Sequence, residues 1–193
     1  MMLTGSSHLE FKTLYQATAD RFYLNAGRII VDRVVERQTP DGGWDFWGIC
    51  QNAYGDFGFT IGVLLTGLRM YYEASGDERA ARQIVQGAYF FVKKLWVESA
   101  RTFKYANCAD WYAGSASLTP LLLDGICFAY RRTYDPKIRH VLLAATSKAL
   151  EGLERFDPAV ARADASGVGK EFGMYVSNAP HFIGYVAALQ EQK

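Results

Sequence analysis

The chain has 193 residues, half of them hydrophobic and 15% aromatic, with only five prolines. That composition suits one globular domain with a sizeable core and excludes an intrinsically disordered chain. Lys and Arg number 21 against 20 Asp and Glu, a formal net charge of +1, so no basic excess points to a nucleic-acid partner.

Gly, Arg and Glu interrupt the longest apolar runs, which fall short of the roughly 20 residues a membrane span needs. Residues 1–20 carry no apolar stretch followed by a small-residue cleavage site. The expectation is a soluble protein with no signal peptide in this chain and no membrane partner, a cytoplasmic home being favoured. The three cysteines, Cys50, Cys108 and Cys127, lack the CxxC spacing of a structural zinc site, and no metal or cofactor is expected. Their odd number excludes a full disulfide framework, and three free thiols are expected in a reducing compartment.

The first strong helical pattern runs from Arg21 to Arg37, with Phe22, Leu24, Ile29, Ile30, Val34 and Val35 at helical spacing. Gln38-Thr39-Pro40-Asp41-Gly42-Gly43 then breaks it, and Asp41 reads as a turn residue. A second apolar helix is predicted from about Phe57 to Glu73, through Ile61, Leu64, Leu65, Leu68 and Tyr72. Ser75-Gly76-Asp77 closes it, and Asp77 is placed to cap the next helix. That third helix extends to about Leu95, with Ala81, Ile84, Val85, Ala88, Phe91 and Val92 on its inner face.

After a loop over 96–115, a fourth helix spans about 117–133 and carries Leu121, Leu122, Ile126 and Tyr130. Asp135-Pro136 opens a fifth, which reaches about Phe156. A stretch rich in Ala, Gly, Asp and Ser fills 157–177, and a last helix covers about 178–190. No β-branched alternation is sustained, so no strand is predicted.

A shift of 58 residues superposes the chain on itself without gaps from Trp47/Tyr105 to Leu95/Leu153. Cys50 falls on Cys108, Asn52 on Asp110, Tyr54 on Tyr112 and Leu64-Leu65 on Leu122-Leu123. Gly67 falls on Gly125, Leu68 on Ile126, Tyr72 on Tyr130, Asp77 on Asp135 and Leu95 on Leu153. A weaker third copy begins near Phe172, where Ser177 and Pro180 match Ser117 and Pro120 at a shift of 60. Residues 1–193 thus read as a single helical domain, with repeat units at about 47–104 and 105–164 and a partial one at 165–193. Gly67 and Gly125 lie mid-helix, where close helix-to-helix contact offsets the roughly 1 kcal/mol that glycine costs.

Each unit is a long loop, a helix, a short turn and a second helix. Short turns make antiparallel neighbours, so the long loops near 38–56, 96–116 and 157–177 share one end of the bundle. Loops of that length in compact domains are functional or disordered, and the first two are too aromatic for disorder. All four tryptophans lie in or beside them.

Flat aromatic faces beside carboxylates and amides suit a sugar, whose C–H face stacks while polar groups take its hydroxyls. Trp44, Trp47, Asn52, Tyr54, Trp111 and Tyr112 are the candidate substrate-binding residues. A carboxylate pair is also what glycoside hydrolysis needs, which makes Asp45, Asp56 and Asp110 candidate catalytic residues; Asp56 is equally a candidate N-cap. His181, predicted at the long-loop end, is the candidate acid–base histidine. The tryptophans and tyrosines have a competing role as caps on the open end of the core. Cys50 and Cys108 read as small packing residues, because His8, His140 and His181 are all far from them in sequence.

The run Gln38-Thr39-Pro40-Asp41-Gly42-Gly43-Trp44, an aromatic loop, and a helix with Leu64-Leu65-x-Gly67-Leu68 before Ser75-Gly76-Asp77 resemble the (α/α) toroid proteins. The resemblance is strongest to the six-hairpin glycosidase group of glycoside hydrolases, polysaccharide lyases and uronyl epimerases, and it covers roughly residues 22–154. It implies an all-α fold of antiparallel hairpins with a sugar cleft at the long-loop end. Its motifs mark the hairpin and not the chemistry. The Gln-x-x-x-Gly-Gly-Trp run is also similar to the repeat of terpenoid cyclases and protein prenyltransferases, although this chain has no DxDD motif. Six repeats of 58 residues would need far more chain than is present. The expectation is therefore a partial toroid, belonging to a larger ring or closing on another copy of itself.

Three functions follow as expectations. The first is a carbohydrate-active enzyme, a hydrolase using an Asp pair or a lyase with Tyr112 or His181 as base. The second is a non-catalytic oligosaccharide-binding or assembly module, and the third an isoprenoid-handling toroid.

Overall fold

The computed structural model describes residues 13–50, 53–108, 118–154, 179 and 182–191. These residues are mostly helical. After a helical stretch over 13–18 come α1 (Arg21–Arg37), α2 (Gly58–Ser75), α3 (Glu78–Phe90), α4 (Thr119–Thr133), α5 (Pro136–Glu154) and α6 (Ile183–Glu191). A π-helical turn, Phe91–Leu95, extends α3. Among the described residues no helix is long and apolar enough to cross a membrane.

The reading without strands is corrected. Two antiparallel ribbons lie inside the long connections: β1 (Phe46–Cys50) pairs with β2 (Ala53–Gly55), and β3 (Trp96–Val97) with β4 (Thr102–Phe103). Each strand has two to five residues, too few for a period-2 pattern to stand out in the sequence.

Helix α2 packs on both α3 and α4, α4 on α3 and α5, α1 on α2 and α3, and α6 on α5. The core gathers Ile61, Leu65 and Leu68 of α2, Ile84 and Phe90 of α3, Leu122, Leu123 and Ile126 of α4, and Ile138 and Leu142 of α5. Glycines let α2 and α4 approach closely. A Cβ on Gly125 would lie 2.7 Å from Leu65 Cδ1, and one on Gly62 only 2.5 Å from the Leu121 carbonyl oxygen. Across this seam runs a buried ion pair, Arg69 Nε to Asp124 Oδ2 at 2.9 Å, with Glu73 as the second partner of Arg69.

The two short turns are built alike. Ser75 Oγ donates to the Tyr71 carbonyl and accepts from Asp77 N; Thr133 Oγ1 does the same with Ala129 and Asp135. Gly76 and Tyr134 both adopt the left-handed conformation, at φ 71° and 53°, and donate to the carbonyls of Tyr72 and Tyr130. Asp77 then accepts from Arg79 N, and Asp135 from Lys137 N. Every one of these residues has its counterpart 58 positions on, so the sequence repeat is also a repeat of hydrogen bonds.

The cysteine expectation is also corrected. Cys127 is a buried free thiol, but Cys108 is disulfide-bonded. Burial, then the Asp124 carboxylate, pushes the Cys127 thiol up to about 12, which makes it inert as a nucleophile.

Candidate functional site

The loop after α1 is locked to α3 by the residues of its glutamine–tryptophan run. Gln38 Nε2 donates to the carbonyls of Gly42 (3.0 Å) and Gln83 (3.2 Å), the second of these on α3. Gly42 N donates to the Thr39 carbonyl, and Thr39 N to the Gly43 carbonyl. Gly42 stands at φ 96°, and a Cβ there would lie 2.3 Å from the Gln86 carbonyl oxygen, so only glycine fills the place without strain. Trp44 folds back and donates through Nε1 to the Val34 carbonyl of α1 at 3.0 Å. Asp41 is the turn residue expected, holding Thr39 Oγ1 and pairing with Lys94.

Asp56 sits beneath this loop with no exposed surface. Its carboxylate accepts from Trp44 N (3.1 Å) and Asp45 N (3.2 Å). Burial pushes its carboxyl above the usual range, while those two N–H groups pull it down; the Asp45 and Asp41 carboxylates push it further up. Gly43 is required beside it, because a Cβ there would stand 2.4 Å from Asp56 Oδ2.

The same segment joins the two long loops. Asp56 N donates to Asn107 Oδ1 at 2.9 Å, Asn107 N to the Asp56 carbonyl, and Gly58 N to the Tyr105 carbonyl. A lone bridge pairs Phe57 with Ala106. Residues 56–58 therefore run antiparallel to 105–107, and the first two long loops meet; the third, near 157–177, lies outside the described residues.

That joint assembles an aromatic patch. Phe57 stacks on Phe59 at 5.5 Å, and Tyr105 lies 5.0 Å from Phe57 and 5.5 Å from Phe59. All three are partly exposed. Tyr54, on the ribbon leading into the joint, is 64% exposed. Behind the patch Gly58, Phe59, Tyr105, Thr119 and Leu122 help line a cavity of about 10 Å³, room for about one water molecule.

The structure treats the sequence-predicted residues differently. Trp44, expected to bind substrate, is 6% exposed and belongs to the core cluster. Its indole N–H is needed at the end of α1, so the core-capping role has prevailed there. Asp56 is neither a solvent-facing catalytic acid nor an N-cap: α2 is capped by the Phe57 backbone without a side-chain bond, and the Asp56 carboxylate is committed to the preceding loop. Asp45 is exposed and left-handed, at φ 46°, a conformation that aspartate tolerates better than most residues. The backbone of Trp47 lies in β1 opposite Tyr54; its side chain lies outside the described residues, as do Asn52, Asp110, Trp111, Tyr112 and His181. The binding-site reading had passed over Phe59, Tyr105 and Asn107. The repeat offered a signal for one of them, since Tyr105 is the 58-residue counterpart of Trp47.

Set beside known protein families, curated proteins and solved structures, the chain finds no match.

Proposed function

We propose that the chain binds an oligosaccharide at the end where its long loops meet, and that its hairpins are an arc of an (α/α) toroid of the six-hairpin glycosidase type. One observation carries the reading: the antiparallel joint of 56–58 with 105–107, which sets Phe57, Phe59 and Tyr105 together at the end of the loop that also carries the exposed Tyr54 and Asp45. Partly exposed aromatic faces, with an exposed carboxylate on the same loop, have the chemistry to stack a sugar ring and take its hydroxyls. The exposure of Phe22 and Ile29, seven residues apart on α1, supports an arc with an open flank.

Among the described candidates Asp56 is buried and Asp45 faces solvent, so the proposal is one of binding. Turnover by a hydrolase or lyase route would rest on Asp45 with Asp110, Tyr112 or His181. The water-sized cavity gives no support to an isoprenoid ligand.

Titration with a panel of neutral and uronic-acid oligosaccharides, followed by calorimetry and by product analysis, tests the proposal. At least one oligosaccharide is expected to bind, with Tyr54→Ala and Tyr105→Ala each weakening it several-fold, in line with roughly 0.5–1.5 kcal/mol per aromatic contact. A panel in which nothing binds, or binding that both substitutions leave unchanged, refutes it.

A further inference from the structure

Cys108 stands at the joint described above, one residue beyond Asn107, whose side chain and backbone hold Asp56. It is exposed and disulfide-bonded. The chain has three cysteines and Cys127 is a free thiol buried in the helical core. Cys50 closes β1 in the other long loop, and it is the residue on which Cys108 falls when the chain is shifted by its own repeat. The two loops already run side by side from Asp56 to Asn107.

We propose that Cys50 is the disulfide partner of Cys108, so that one covalent staple ties equivalent points of consecutive repeats and fixes the first long loop against the second. The bond forms when the two thiols give up two protons and two electrons to a disulfide-class oxidant, which is itself reduced to two thiols. With this pairing, the compartment in which the chain matures holds such an oxidant. The exposure of Cys108 opens the bond to attack by a thiolate, so a strong dithiol reductant reverses the step through a mixed disulfide. The staple encloses a loop of nearly sixty residues, and its loss frees the unfolded chain considerably.

Peptide mapping of the air-oxidised protein under non-reducing conditions tests the pairing, with alkylation of free thiols after unfolding. A single linked pair of peptides carrying Cys50 and Cys108 is expected, with Cys127 alkylated. Thermal unfolding with and without a dithiol should show a Tm fall on the order of 10 °C. Cys50→Ser and Cys108→Ser should each reproduce the fall and abolish the response to reductant. Alkylation of all three thiols in the folded protein overturns the proposal. So does a link through Cys127, a link between two chains, or a Tm indifferent to reductant. The mapping needs no variant, so a substitution that fails to fold leaves the test intact. Neither measurement uses a sugar, so the staple stands or falls apart from the binding proposal.

Discussion

Asp56 shows how a residue suited to catalysis is taken over by architecture. Its carboxylate collects N–H groups of Trp44 and Asp45, twelve and eleven residues away, and its own backbone holds Asn107. Replacing it with alanine strands buried donors, each costing about 1–3 kcal/mol. Asp56→Ala should therefore lower stability by several kcal/mol, read by denaturant melts, and should raise protease sensitivity within residues 38–46. A variant as stable as the parent would show that Asp56 does not organise the loop. None of this was legible in the sequence, because its partners are backbone amides, which every residue has. Trp44 was easier to notice, yet its role differs from the one expected. An indole beside two glycines reads as a ligand face until the fold shows its N–H on the Val34 carbonyl.

Among the elements, the helices were the most legible part. Apolar spacing located α1 through α5 to within a few residues, and Asp77 and Asp135 marked two helix starts by their capping chemistry. The ribbons were not legible, being shorter than the pattern that identifies a strand. The caps also carry a pH signature. The Arg79 side chain, then its N–H group, hold the Asp77 carboxyl below its ordinary value of 3.8; the Tyr89 hydroxyl, then the Lys137 N–H, do so for Asp135. Lowered carboxylates favour the fold above their ordinary value and lose that contribution as pH falls through the lowered folded values. Asp56, raised by burial, works the other way: its share is present below the ordinary value and fades as pH climbs through the raised one. Asp77→Ala should cost about 1 kcal/mol at neutral pH, with a smaller loss once the pH has fallen through the lowered folded value, checked by urea melts from neutral into acid. An equal loss at both pH values would count against the carboxylate as the capping species.

At the scale of the molecule, the two hairpins are held together chiefly through the α2–α4 seam. Arg69 and Asp124 cross it with side chains 11% and 3% exposed, deep enough for a broken pair to leave an uncompensated charge. Arg69→Ala should cost about 3–5 kcal/mol, a Tm drop on the order of 10 °C for a chain of this length. The double change Arg69→Met with Asp124→Leu should recover most of it, since no buried charge is then left unpaired and Glu73, the other partner of Arg69, has a side chain 40% exposed to water. A double variant as unstable as the single one would mean that packing, and not charge, is what Arg69 supplies. The sequence marked Gly125 as a close approach in advance, but an arginine and an aspartate on different helices gave no sign of being partners.

The meeting of residues 56–58 with 105–107 also bears on how the molecule comes into being. The first repeat does not end where its second helix ends, for its opening loop is completed by backbone and side-chain groups of the next unit. During synthesis α2 and α3 can wind as soon as they emerge, but the loop before them must wait for Asn107 before Asp56 has its full set of partners. A gene cut neatly at the repeat boundary would deliver a hairpin with an unfinished head, which the second unit completes.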